Sequence, residues 1–325
     1  MCSSDLKNLL TLLAAALACV ASGAGAQSYP AKQIRIVIGF PAGGPIDIVA
    51  RMMSPKLGEA MGQSVIIDNR GGAGGTIGVD NVAKSVPDGY ALIMTSTSLA
   101  IYPHVYPKLP FDLFRDFAPI SVVSNTPELL TIHPSLPVKN VKELIALARA
   151  RPGQLNGAST GNGGIAHLVI ELFKMETGTN ITHVPYGGAA PAVTATIGGH
   201  SQLLAADLPV LLPHVQSGKL RALFVTVGQR AALLPDVPSA VEAGVAKVEA
   251  LNWYGLFFPA KTPRDIVDKM NSGIHKALAD KDLRERLIAR GAEPAPGTPE
   301  QLAAQLKNDH AKWGAVVRAA GVKLD

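Results

Sequence analysis

Cysteine is nearly absent from the chain: its two copies, Cys2 and Cys19, both sit in the opening stretch MCSSDLKNLLTLLAAALACVASGAGA. That stretch has Lys7, an apolar run from Leu9 to Val20 and small residues ending in AGA. The pattern predicts a signal cleaved after Ala26, and the run is too short to span a bilayer as a helix. Cleavage there leaves no thiol, which excludes disulfides, a thiolate nucleophile and cysteine-ligated metal from the mature chain. Lipoprotein processing at Cys19, which follows ALA, is the weaker reading, because Ala16 stands where a leucine is usual.

Aromatic residues make up 5% of the chain and no run of Lys and Arg occurs. Neither base stacking nor phosphate tracking has a surface, so nucleic acid is excluded as a partner. The histidines, at 104, 133, 167, 183, 200, 214, 275 and 310, never fall at one- or three-residue gaps, and no metal site is expected. What the chain does have is 47% hydrophobic residues and a net charge of +5, which the loss of Lys7 and Asp5 with the signal leaves unchanged. That balance suits a small anionic ligand.

Short runs rich in Val and Ile (IRIVIGF, SVIIDN, ALIMTS, LLTIHP, QLNGAST, ITHVPY, QLLAAD, RALFVT) alternate with amphipathic stretches. The alternation predicts an α/β fold with mainly parallel sheets and ligand sites at the carboxyl ends of strands. Helices are expected over VKNVKELIALARARPG, with Val141, Leu144, Ile145 and Ala148 on one face, and after the caps Thr262-Pro263 and Thr298-Pro299. Nearly 300 residues of this pattern exceed one core, which predicts two lobes. FAPISVVSNTPELLTI and VEALNWYGLFFPA lack a helix between apolar runs and are the expected crossings. The division is then a signal at 1–26, one discontinuous lobe at 27–125 plus 250–325, and a second at 126–249.

Three glycine-rich turns follow strands. In FPAGGPID, Gly43 and Gly44 expose successive N–H groups and Pro45 opens a helix whose positive end favours an anion. No Lys-Ser or Lys-Thr follows, which excludes a nucleotide phosphate loop. Asp47 either binds the backbone at the helix start or meets a ligand amine or hydroxyl. In NGASTGNGGIAHL, Gly157 to Gly161 match a nucleophile elbow around Ser159, with Asp207 and His214 downstream. This is the serine hydrolase alternative; the short LPVLLP between Asp207 and His214 argues against it. Gly161 to Ala166 also match a dinucleotide fingerprint, but the region some 20 residues on has no acid for the ribose hydroxyls, so no cofactor is expected. The third turn, VPYGGAAPAV, offers Tyr186, Gly187 and Gly188, and MTSTSLA adds the hydroxyls of Thr95, Ser96, Thr97 and Ser98. Uncharged donors at strand ends suit a carboxylate. His133 reads as a loop residue and His167 as a ligand-orienting one.

Taken in order, YPAKQIRIVIGFPAGGPIDIVAR, VIIDNRGGAGGTIGVDNVAKSVPDGYALIM, LPFDLFRDFAPISVV, HVPYGGAAPAV, PHVQSGKLRALFVT, LPDVPSAVEAG and KWGAVVRAAGVKLD resemble the Bug-type periplasmic receptors of tripartite tricarboxylate transporters. The resemblance covers essentially the whole mature chain. It implies a type II-like, two-lobed periplasmic binding protein, monomeric and not an enzyme, that closes on a small carboxylate and delivers it to membrane permease subunits. Carried over residue by residue, it places ligand contacts at Phe40, Ala42, Gly43, Gly44 and Asp47, at Thr160, Gly161, Gly163 and His167, at Tyr186, Gly187, Ala190 and Pro191, and at the pocket acid Asp207. Ala42 stands where a second proline is common, Gly187 where a lysine is frequent and Ala206 where an aromatic usually precedes the acid. These departures imply a roomier or more apolar cavity, for a larger or aromatic acid.

Overall fold

In the computed structural model, which describes residues 29–323, the apolar runs form strands, the inner ones buried on both faces and the edge strands β2 and β6 partly exposed. The expected signal and both cysteines lie outside the described residues. The chain runs β1 (Ile34–Ile38), α1 (Pro45–Met61), β2 (Val65–Asn69), α2 (Thr76–Ala83), β3 (Ala91–Ser96), α3 (Ser98–Val105) and β4 (Phe117–Ile132). It continues with α4 (Val141–Ala150), β5 (Asn156–Ser159), α5 (Ile165–Thr177), β6 (Thr182–Pro185), α6 (Ala189–Ile197), β7 (Leu203–Asp207), α7 (Leu208–Gln216) and β8 (Arg221–Val225). Then come β9 (Leu251–Pro259), α8 (Arg264–Ala279), α9 (Lys281–Ile288), β10 (Glu293–Pro294) and α10 (Pro299–Ala320).

Both segments expected to cross between lobes are single strands, β4 and β9, and they pair antiparallel from Phe117↔Pro259 to Pro127↔Leu251. Beyond Pro127, β4 changes partners: Glu128 to Ile132 pair with β7, and Leu129 to Ile132 also with β8. Proline has no N–H to continue a ladder, so the switch falls where the sequence interrupts one. The first lobe's sheet is β2-β1-β3-β9-β4 with β10 on β4, and the second lobe's is β8-β4-β7-β5-β6. The outer pairs, β1 with β2 and β3 and β5 with β6 and β7, are parallel, as expected. The sheets are nevertheless mixed rather than mainly parallel, because β4 and β9 run against all their neighbours.

Helix packing follows the sequence pattern. Val141, Leu144 and Ala148 of α4 are buried as read, behind an Asn140 cap that accepts the Glu143 N–H. Thr298 forms a full capping box with Gln301. Thr262, in contrast, does not cap α8: Pro263 is the N-cap, and the Thr262 hydroxyl bonds the Pro259 carbonyl instead. Helix α10 serves both lobes. Its Leu302 and Leu306 pack with Trp253 and Phe257 of β9, while Trp313 and Val317 pack with Leu168 and Phe173 of α5.

The two tryptophans are buried alike but bonded differently: Trp253 Nε1 donates to Asp309 Oδ2 at 2.7 Å, and Trp313 Nε1 has no partner among the described residues. Trp253→Phe leaves a half-buried carboxyl without its donor, whereas Trp313→Phe removes a donor without a partner among the described residues. In urea unfolding, Trp253→Phe is expected to cost about 0.5 to 1.5 kcal/mol more than Trp313→Phe. Equal losses would show that the Asp309 bond is not stabilising.

Candidate functional site

The parallel strands of each lobe aim their carboxyl ends at the crossing, so their turns meet there. The turn after β1 is fixed by its own acid. Asp47, 3% exposed, accepts the Gly43 N–H at 2.9 Å and the Arg51 Nε at 2.9 to 3.0 Å. Arg51 in turn donates to Asn69 Oδ1, and Asn69 Nδ2 donates to the Phe40 carbonyl. Burial pushes the Asp47 carboxyl up, but the Arg51 and Gly43 hydrogen bonds outweigh it and hold the group below its usual range. Its charge is spent on its own loop, and α1 is left with no side-chain cap at Gly44.

A second wall is the 70–75 loop. A Cβ on Gly39 would lie 2.3 Å from the Gly75 carbonyl, so only glycine lets this loop close on the end of β1. Tyr102 donates to the Gly74 carbonyl and Tyr106 to that of Ala73. From the second lobe, the 160–164 turn leads into α5, whose first N–H, at Ile165, donates to Ser98 Oγ of the first lobe at 3.3 Å. That bond joins the lobes. At the floor, Asn252 of β9 ties three elements together: its Oδ1 accepts the Thr97 N–H, and its Nδ2 donates to Asp207 Oδ1 at 2.6 Å.

The turns enclose a narrow inner chamber of about 40 Å³ that opens into an outer one of about 580 Å³. Of the residues expected at the site, Phe40, Gly44, Asp47, Ser96, Ser98, Thr160, Gly161 and Asp207 line the inner chamber. Tyr186 and Gly187 line the outer one, together with Phe40, Thr160 and Gly161. Ala42, Gly43, Thr95, Gly163, His167, Ala190 and Pro191 line neither. His167 is buried, and its Nδ1 accepts the Gly163 N–H. The Tyr186 hydroxyl is engaged with Ser201. Of the three departures noted in the sequence, only Gly187 borders the cavity; Ala42 is exposed, and Ala206 is buried in the core around α7.

The sequence reading missed Asn252, Gly74 and Asn162, all in the inner lining. Gly74 belongs to the glycine tract RGGAGG and Asn162 to the second turn, so both had a local signal. Asn252 had none: it reaches the cavity only because β9 pairs between β3 and β4. Among the described residues no Lys or Arg lines the inner chamber, and Lys323 stands at the outer one.

The hydrolase constellation does not assemble. Asp207 bonds Asn252, His214 stands toward the far end of α7, and Ser159 is fully buried with its Oγ 2.6 Å from His183 Nε2 and 3.0 Å from the Gly161 carbonyl. His183 stacks on His167 at 3.7 Å, and burial first, then the His167 charge, push it down to about 3. This serine–histidine pair lines neither chamber. It braces the second turn from behind.

A family model described as "Tripartite tricarboxylate transporter family receptor" matches residues 49–322. The chain is 38% identical to the protein BugT of Bordetella pertussis over 314 residues, covering 95% of each. Among solved structures, Rpa4515 of R. palustris with adipate superposes with a TM-score of 0.88 at 36% identity, covering 91% of this chain and all of that one. MatC of Rhodopseudomonas palustris with bound malate gives 0.83 at 31% identity, covering 89% and 100%.

The role of Asp47 in its own loop is measurable. Asp47→Ala is expected to lose about 1 to 2 kcal/mol near neutrality. Because the folded carboxyl titrates below the unfolded one, at about 3.9, the difference from wild type should be complete above that pH and vanish as the pH falls through the folded value. A difference in unfolding free energy that persists unchanged in acid would refute this account.

Proposed function

Since the chain belongs to the tripartite tricarboxylate transporter receptor family, we propose that it captures a small organic carboxylate in the periplasm and passes it, unchanged, to membrane permease subunits. One observation carries the reading: glycine-rich turns and hydroxyls from two sheets converge on a single cavity with no cation in its inner lining. Such a site binds an acid group by oriented dipoles. Relatives that hold adipate and malate make an aliphatic dicarboxylate the first candidate.

The proposed lobes are residues 27–125 plus 250–325 and residues 126–249, with the chain acting as a monomer after loss of its signal. The proposed ligand contacts are the cavity-lining residues of the three turns together with Ser96, Ser98, Asp207 and Asn252. Closing about β4 and β9 brings both sets of donors to one ligand. A ligand shifts that balance only by its preference for the closed form. Turning a mostly open population into a mostly closed one takes about 5.5 kcal/mol, within the roughly 8 kcal/mol of a micromolar complex.

The test is calorimetry with malate, adipate, amino acids and aromatic acids, paired with small-angle scattering. We expect saturable binding of at least one acid, a smaller radius of gyration on saturation and full recovery of the acid afterwards. Ser159→Ala, being behind the cavity, should bind within about threefold of wild type, a difference under 1 kcal/mol. Ester turnover by wild type that disappears in Ser159→Ala would replace the receptor by the hydrolase.

A further inference from the structure

Directly beneath the inner chamber, β4 and β7 place two acids face to face: Glu128 and Asp207 are opposite one another in the antiparallel ladder. Asp207 is 5% exposed and lines the chamber; Glu128 is fully buried. The backbone of Glu128 is satisfied, its N–H donating to Thr226 Oγ1 and its carbonyl accepting from Thr226. Its carboxyl is not. Both Glu128 oxygens are buried without a hydrogen-bond partner, as are Thr126 Oγ1 and Tyr254 Oη beside them.

Among the described residues no cation relieves this pair. From β9 come the Asn252 amide, already given to Asp207, and the Tyr254 phenol. From β8 comes the Thr226 hydroxyl, with Arg221 at the strand's other end bonded to the Val138 carbonyl. On α7 His214 stands toward the far end, Glu293 of β10 lies opposite Asn125, and on α10 Asp309 is held by Trp253. Across the cavity, Asp47 of α1 is already paired with Arg51. Two carboxylates cannot both stay ionised side by side in such a place, since each disfavours the charge of the other and burial disfavours both.

We propose that Glu128 and Asp207 share a single proton at neutral pH, held on Glu128, and that Glu128 thereby acts as a positioning residue that keeps the floor of the ligand cavity at one negative charge instead of two. Burial pushes the Glu128 carboxyl well above its usual range, and the neighbouring Asp207 adds to the rise. Burial raises Asp207 as well, with the Asn252 amide opposing it. The protonated Glu128 then has a donor to give to Asp207. The second Asp207 oxygen, an acceptor only, suits a hydroxyl on the guest and not its carboxylate. A dianionic acid thus meets one negative charge at the floor instead of two, and the repulsion grows at alkaline pH when Glu128 loses its proton. The charge-control half of this proposal rests on the carboxylate-receptor reading; the shared proton does not.

Infrared spectroscopy of the wild-type protein without ligand tests the proton directly. A protonated-carboxyl C=O band should persist at neutral pH, shift on glutamate-specific ¹³C labelling, and be missing from Glu128→Gln. Labelling needs no substitution, so it decides the matter even if a variant fails to fold, and it separates Glu128 from the half-buried Asp309. Absence of the band at neutral pH, or its indifference to glutamate labelling, would overturn the proposal.

Calorimetry with malate and adipate tests the consequence. Wild-type affinity should fall on the order of tenfold as pH rises through the pair's titration. Glu128→Gln, whose amide supplies the donor at every pH, should match wild type near neutrality and lack that fall. A variant that keeps the wild-type pH profile would remove Glu128 from the binding equilibrium. Failure of both acids to bind would count against the receptor reading, leaving the infrared result to decide the pair.

Discussion

The arrangement depends on the antiparallel ladder between β4 and β9 and on the point where β4 leaves it. Pro127 is the last β4 residue paired with β9, and Glu128 the first paired with β7. Within that short span the ends of strands from both sheets come together. Ser96, the last residue of β3, pairs with Tyr254; Asn252 pairs with Thr126; Asp207, the last residue of β7, pairs with Glu128. Parallel strands place their turns at one edge of a sheet. Because one continuous strand serves both sheets, those two edges face each other across the crossing.

That geometry explains why the cavity needs no basic residue in its inner lining. Helices α1, α5 and α6 all begin at the turns, and none has a side-chain cap. The positive ends of their dipoles are therefore the cationic component of the site, although Pro45 gives α1 no first N–H and the Ile165 N–H of α5 goes to Ser98. The acids nearby are kept from cancelling it. Asp47 is neutralised within its own loop by Arg51, and Asp207 is turned partly toward Asn252. Fixed dipoles in a site with little water need no reorganisation when a carboxylate arrives, which suits binding without chemistry.

Most of this was legible in the sequence because it was local. Alternating apolar runs gave the strands, and the Gly-Gly turn followed by proline gave the helix start at Pro45. The crossings were legible too, since apolar runs without a helix between them have nowhere else to go. Local reading failed where pairing decided the outcome. Thr262 reads as a cap until the chain folds back and offers it the Pro259 carbonyl. Asn252 and Glu128 look like ordinary strand residues, and only register brings them to Asp207. The serine–histidine pair also escaped: Ser159 and His183 are 24 positions apart and meet because β5 and β6 are neighbours.

The bond from the Ile165 N–H to Ser98 Oγ bears on how such a receptor is balanced. It exists only with the lobes together, and at 3.3 Å it is longer than the usual 2.9 to 3.0 Å for an N–H···O bond. A net hydrogen bond of this kind contributes about 1 kcal/mol or less. A single bond of this strength orients the start of α5 but is too weak to hold the lobes shut by itself. Affinity then reports how well a ligand satisfies donors from both sides at once, and an acid that reaches only one wall gains little from closing the other over it.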